Sequence, residues 1–293
     1  MLPDIPIYVV NLDRSPERLQ SIAAQLARIG ISFKRIAGVD GKTSDLEREL
    51  FSGRASLSDV SGQSLTREEI GCHLSHLKAF DEILASGVSS AIILEDDLII
   101  SPRFQSAALA LAAHFSGEPV VIKLEPWNKP RLAYMAHRCG DFDLIFTNHQ
   151  LTQTGAYFIT AEAIRLLRTP LSRIGRPYDD ALYAAGENGV GVFSLSPAIA
   201  QQTASFQSLI ETGRRRLRDR DRGYGLTREI VRPIRQCAQF LSLLRLIKIK
   251  SGWQGLVKLR RYRPAGPGRP PQSMGDFTGV SSVGDVRTWR VAR

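Results

Sequence analysis

Three consecutive carboxylates, Glu95, Asp96 and Asp97, sit inside the apolar run Ala91 to Ile100. An apolar run of this length reads as a buried strand, where a carboxylate loses hydration without compensation and calls for a cation. Side chains alternate along a strand, so Glu95 and Asp97 are expected on one side and Asp96 on the other. Oxygen donors of this kind suit magnesium or manganese, which take one or two protein carboxylates and fill the remaining positions with water and substrate phosphates. Glu95 and Asp97 are therefore the expected ligands of a divalent metal, and the phosphates would come from a nucleotide. A polar turn leading into a helix around Ser101 and Pro102 is the alternative reading of the same residues.

Other residues could share that chemistry. Asn11, Asp13 and Arg14 follow the apolar segment Ile5 to Val10, at the end of a first strand, where ligands bind in parallel α/β sheets. Arg14 and Arg18 could meet a diphosphate or form a solvated helix face with Glu17. Cys72, His73 and His76 suggest zinc. Cys72 and His73, however, are adjacent on a helix and point about 100° apart, and no second cluster supplies further ligands. Packing, with a hydrogen bond from His76 toward the site, is the preferred expectation. Gly155 lies where a glycine would let a ligand or backbone approach closely, and Asp179 with Asp180 precede an apolar turn, as helix N-capping residues often do.

The elements that would position these groups alternate. Ser15 and Pro16 open a helix with Leu19, Ile22, Ala23, Leu26 and Ile29 in helical period, closed by Gly30. A strand over residues 32–36 follows, then a polar stretch, 42–65, expected as loop or short helix. Thr66 and Glu69 have capping-box spacing and predict a helix from Arg67 to about Leu84. A helix over 104–115 and a strand over 119–124 continue the pattern. Residues 125–148 read as irregular, residues 153–159 as a strand and 161–167 as a helix. The fold class expected is α/β, with a Rossmann-type, mostly parallel sheet flanked by helices.

The 293 residues suit one large domain with an appendage, and their hydrophobic fraction of 43% is ordinary for a globular protein. No run approaches the length of a membrane span. The start lacks a basic segment and cleavage site of the signal-peptide type. Cys72, Cys139 and Cys237 are odd in number and far apart, which points to a reducing, cytoplasmic compartment.

The net charge of +10 is uneven: residues 1–210 carry 19 Lys and Arg against 23 Asp and Glu, whereas residues 211–263 carry 16 against 4. The basicity belongs to an appendage, whose expected partner is an anionic surface or polymer.

With these segments assembled, the chain resembles glycosyltransferase family 25, the lipopolysaccharide and lipooligosaccharide transferases related to β-galactosyltransferases. The resemblance rests on ordered blocks: Val10 to Arg14, Ala37 to Gly41, Glu69 to His76, Ile93 to Asp97, Thr154 to Ile159 and Pro177 to Asp179. It implies a GT-A-like catalytic domain over residues 1–210, a UDP-sugar donor carrying a hexose such as galactose, inversion at the sugar, and manganese or magnesium at Glu95 and Asp97. Asn11, Asp13, Arg14, His76, Glu95, Asp96, Gly155 and Tyr157 are then expected to hold the donor. A base must take the acceptor's hydroxyl proton, and Asp179 and Asp180 are the candidates. Departures include Leu19 in place of a second arginine, Tyr178 in place of a small aliphatic residue, and the lack of any histidine after His149 to add a metal ligand.

Residues 234–250 set Cys237, Phe240, Leu241, Leu244 and Ile247 at helical spacing among Arg235, Arg245, Lys248 and Lys250. A basic amphipathic helix of this type suits an anionic membrane interface, and equally a helix packed on the catalytic domain. The membrane reading places the protein on the inner face of the cytoplasmic membrane, acting on a saccharide or lipid-linked glycan. Nucleic acid is not the expected partner, since no binding motif accompanies the arginines. Residues 264–293, which begin Pro- and Gly-rich, read as linker and disordered tail. The competing functions are a metal-dependent nucleotidyl or phosphoryl transferase and a non-catalytic protein that binds anionic surfaces or nucleic acid.

Overall fold

The computed structural model describes residues 5–43, 45–57, 65–115, 117–127, 131–147, 151–203, 241 and 260–262. The chain opens with β1 (Ile7–Asn11), α1 (Pro16–Arg28) and β2 (Lys34–Ala37). α2 (Asp45–Phe51), β3 (Ser56–Leu57) and the long α3 (Arg67–Ser86) lead into β4 (Ser90–Glu95) and β5 (Leu98–Ile100). Then come α4 (Phe104–His114), β6 (Val120–Lys123), β7 (Arg131–Cys139) and β8 (Phe142–Thr147). β9 (Ala156–Thr160), α5 (Ala161–Leu171), β10 (Arg173–Ile174), α6 (Tyr178–Leu182), a 3-10 turn (Ala185–Asn188), β11 (Gly191–Ser196), β12 (Ala200–Gln202) and β13 (Arg260–Tyr262) complete the described elements.

Among the described residues, nine strands form one mixed sheet in the order β13-β7-β8-β11-β6-β9-β4-β1-β2. β1 runs parallel to β2 and β4, and β6 parallel to β11, while the remaining ladders are antiparallel. Six of the nine strands consequently point one way, with β8, β9 and β13 reversed, so the expected α/β architecture holds in strand direction. The β2-β1-β4 part, with α1 crossing between β1 and β2, is the Rossmann-like portion and carries the candidate residues.

Burial on both faces explains the near-continuous apolar strands. Along β4, Ala91 and Ile93 join the core under α3 and α5, whereas Ile92 and Leu94 join the core under α1 and α4. α1 covers its face with Ile22 and Leu26. α3 begins with the anticipated capping box: the Thr66 hydroxyl accepts from the Glu69 amide at 3.0 Å, and the Glu69 carboxylate accepts from the Thr66 amide at 2.8 Å. Such a cap is worth about 1 kcal/mol. The first turns of α3 also lie directly on the chain leaving β2. A Cβ on Gly71 would stand 2.5 Å from the Val39 carbonyl oxygen, and one on Gly41 would collide with the Arg67 backbone.

Two expectations are corrected. The acidic segment is not one strand, since β4 ends at Glu95, residues 96–97 bend, and β5 pairs with β12 in a separate two-stranded ladder. Residues 125–148 are not irregular, because β7 and β8 form a hairpin around Gly140, whose φ is +59°. The charged residues concealed an alternating pattern: Phe142 and Leu144 are buried while Asp143 between them is half-exposed.

The proposed boundary at residue 210 and the basic helix of residues 234–250 lie, apart from Leu241, outside the described residues. Arg260–Tyr262 extend the large sheet by pairing with β7. Among the described residues, no helix is long and apolar enough to cross a membrane.

Candidate active site

A cavity opens at the carboxyl ends of β1 and β4, between α1 and α3, and all three consecutive carboxylates line it. Their directions follow from the alternation in β4. Glu95 continues the face of Ile93 toward α3, where its Oε1 lies 3.4 Å from Nε2 of His76. Asp96 continues the face of Leu94, accepting a 2.6 Å hydrogen bond from Nδ2 of Asn11 and a 3.3 Å one from Arg18. Asp97 comes after the strand has ended, so the alternation no longer governs it; its Oδ2 stands 3.7 Å from Arg18. The expectation that Glu95 and Asp97 face the site while Asp96 turns away is therefore corrected: the bend after Glu95 brings all three to one cavity.

The cavity is electrostatically unfinished. Burial, reinforced by the charges of Glu125, Asp96 and Asp179, raises the Glu95 carboxyl to about 8, although a quarter of its side chain still faces the opening. Burial and the charge of Glu95 raise Asp97 to about 7, against the opposing pull of Arg18. Oδ1 of Asp97 is buried with no hydrogen-bond partner. An orphaned carboxylate oxygen next to a second carboxylate that resists ionisation fits a divalent cation held by Glu95 and Asp97.

His76 is fixed from behind. Its Nδ1 lies 2.9 Å from the Tyr157 hydroxyl, which lies 2.9 Å from the Tyr178 hydroxyl, and the imidazole stacks on the Tyr178 ring at 4.2 Å. Burial lowers the His76 pKa to about 3, so the ring is neutral and its contact with Glu95 is a hydrogen bond rather than an ion pair. With Glu95 ionised, Nε2–H donates to it and Nδ1 accepts from Tyr157. Tyr157 thus positions His76 from the core, fully buried and absent from the cavity lining. His73 points elsewhere, its Nε2 lying 2.8 Å from the Leu171 carbonyl. One turn after Cys72, His76 shares its face of α3, and the ligand atoms of Cys72, His76 and Glu95 all lie within 4.8 Å of one another.

The remaining candidates are distributed around this centre. Asn11 is buried at the cavity floor, and its side-chain oxygen accepts from Arg35 at 3.0 Å. Arg14 lines the cavity in an ion pair with Asp40, while Asp13 faces solvent in a pair with Arg35. Gly155 does leave room for a close approach, but the approaching group is Glu125, whose Oε1 would lie 2.8 Å from an added Cβ. Asp179 accepts from the amides of Gln153 and Asp180 at 3.1 and 3.0 Å. Neither Asp179 nor Asp180 lines the cavity, although the charge of Asp179 is felt at Glu95.

Two arrangements escaped the sequence reading. Lys123 is completely buried, with Nζ 3.0 Å from Glu125 and 2.8 Å from the Gln153 carbonyl. The spacing of two between Lys123 and Glu125 at a strand end was the available signal. The i,i+4 spacing of Cys72 and His76 was the signal for the other, which needed Glu95, nineteen positions on, to complete it.

Residues 4–182 match the model of glycosyltransferase family 25, described as an LPS biosynthesis protein family. A family member from Rattus norvegicus, named as probable inactive glycosyltransferase 25 family member 3, is 30% identical over 34% of this chain and 18% of its own length. Procollagen galactosyltransferase 1 of Danio rerio is 33% identical over 31% of this chain and 16% of its own. The chain thus spans less than a fifth of the length of these relatives. Among solved structures, a glycosyltransferase involved in glycosylation of the major capsid of PBCV-1 aligns with a TM-score of 0.36 and 11% identity, covering 70% of this chain and 95% of its own. The family match covers more than half of the chain, across the elements that build the cavity, and the chain belongs to glycosyltransferase family 25.

Proposed function

We propose that this chain transfers a hexose, galactose by the resemblance, from a UDP-sugar to a saccharide of lipopolysaccharide or a related lipid-linked glycan. The observation that carries this reading is the cavity at the end of β4, where Glu95, Asp96 and Asp97 converge and Asp97 keeps a buried oxygen without a partner. Glu95 and Asp97 would hold manganese or magnesium, which as a Lewis acid would offset the charge of the departing diphosphate. Arg18, held against Asp96 and Asp97, supplies positive charge where that group leaves. Asn11 orients Asp96, and His76, locked by Tyr157 and Tyr178, orients Glu95. The acceptor's hydroxyl proton passes to a carboxylate, and Asp179 and Asp180 remain the residues to test. Residues 211–263 would hold the enzyme at an anionic membrane surface near a lipid-linked acceptor.

The test is a panel of nucleotide-sugars screened by thermal shift with and without manganese, followed by an assay for sugar release. A UDP-hexose should raise the melting temperature more with manganese than without, because a ligand of the folded state stabilises it by mass action. Stabilisation by nucleoside triphosphates, with pyrophosphate release and no sugar release, would replace this reading with nucleotidyl transfer. Binding to anionic vesicles that survives deletion of residues 211–293 would remove the membrane assignment.

A further inference from the structure

We propose that Cys72, His76 and Glu95 form a binding site for one thiophilic divalent cation of the zinc class, chemically different from the oxygen-only pair Glu95 and Asp97. Three observations support it. The ligand atoms of the three side chains lie within 4.8 Å of one another, at the wall of an open cavity. Tetrahedral zinc, with bonds of about 2.0–2.3 Å, sets nitrogen and oxygen ligands roughly 3.3–3.5 Å apart and needs sulfur only slightly farther away. His76 Nε2 and Glu95 Oε1 already stand at 3.4 Å, leaving a small movement of the Cys72 side chain to close the site.

The histidine is also built as a ligand. Nδ1 meets the Tyr157 hydroxyl at 2.9 Å, which can fix the ring so that Nε2 faces the ion, the second partner that metal-binding histidines usually have. Cys72 and His76 are one turn apart on the same face of α3, so helix geometry alone brings sulfur and nitrogen together. Three protein ligands leave the fourth position open to the cavity for water. On binding, metal–sulfur, metal–nitrogen and metal–oxygen bonds form. The Cys72 thiol proton and any proton on Glu95 leave to solvent, the His76 proton moves from Nε2 to Nδ1, which then donates to the Tyr157 hydroxyl, and no oxidation state changes.

This inference goes beyond the proposed transfer reaction. An ion bound here takes Glu95 from the oxygen-only pair, so zinc and the cation of a sugar donor would compete for one carboxylate. Soft and hard ions would thereby set opposite states of the cavity.

Cobalt(II) titrated into the metal-free full-length protein is the direct probe. We expect one equivalent to produce a thiolate-to-cobalt charge-transfer band that stoichiometric zinc displaces and stoichiometric magnesium leaves intact. Cys72→Ser should remove the band while circular dichroism and the metal-free melting temperature stay near wild type, and Cys139→Ser and Cys237→Ser should retain it. Tyr157→Phe should weaken zinc binding about tenfold by loosening the imidazole. In wild-type protein, zinc should also shield Cys72 from iodoacetamide, read on its peptide by mass spectrometry, which keeps the test decisive if a variant fails to fold. No band, a band surviving in Cys72→Ser, or unaltered alkylation of Cys72 in saturating zinc would overturn the proposal. None of these readouts uses a nucleotide-sugar, so failure of the transfer reading would leave them unchanged.

Discussion

At the end of β6, Glu125 is buried against Lys123, and its carboxylate also accepts from the Ala156 amide at 3.1 Å. At the end of β4, on the other side of β9, Glu95 and Asp97 are buried with less compensation, and Asp97 keeps an oxygen without a partner. One acidic strand end is closed by a buried lysine; the other, where Arg18 reaches Asp96 and Asp97 but leaves Oδ1 of Asp97 without a partner, is left for something to complete. Both sites incur the desolvation of a carboxylate, but only at β4 does the arrangement make sense with a ligand included. Lys123 and Glu125 also shape the neighbouring cluster, since Glu125 raises the Glu95 pKa and Lys123 lowers it.

The contrast leads to four measurable outcomes. Asp97→Asn should lower transfer by about 10²–10³-fold or more, because it removes stabilisation of the leaving group, while the fold persists. Near-normal turnover in that variant would end the metal assignment. Lys123→Met should leave Glu125 buried and unpaired, lowering stability by about 3–5 kcal/mol in a urea titration. If stability were unchanged, the closed pair would not be the structural element described above. Gly155→Ala should push against Glu125 and cost about 1–3 kcal/mol by the same titration.

The smallest effect is on pH dependence. Glu95 and Asp97 keep their protons to about 8 and 7 in the folded protein, but lose them near their ordinary values of 4.5 and 3.8 when unfolded. The folded state binds more protons in that interval, so its stability falls as pH rises. His73 and His76, lowered to about 4 and 3, act in the opposite sense below their ordinary value of 6.5. Between about pH 6.5 and 8 the carboxylates alone remain, and metal-free protein should lose roughly 1 kcal/mol per pH unit. Glu95→Gln should flatten that slope, as should saturating manganese; a slope unchanged by both would contradict the assignment.

One side of this contrast, the acidic cluster, was legible in the chain; the closed pair of Lys123 and Glu125 was not, and the reasons are local. The presence of carboxylates beside an apolar strand, the order of the first three elements and the Thr66–Glu69 cap all rest on short-range patterns and appear in the structure; the directions of Asp96 and Asp97 do not follow the strand alternation, because β4 ends at Glu95. The split of the acidic segment was not legible, because Leu98–Ile100 are as apolar as β4 and only pairing with β12 separates them. Gly155 suggested a close approach without revealing that a side chain from β6 would fill the space. Tyr178 read as a departure from the family pattern; its position beneath His76 depends on the packing of α6 against α3.

The contact between Gly71 and the Val39 carbonyl has a consequence for engineering. α3 is a twenty-residue rod seated at its first turns, and Cys72 and His76 ride on those same turns. A methyl group added at Gly71 would act like a shim under one end of a lever, tilting the rod and carrying both side chains out of register with Glu95. Loss of activity in such a variant would report misalignment from outside the cavity, with every reactive group still present.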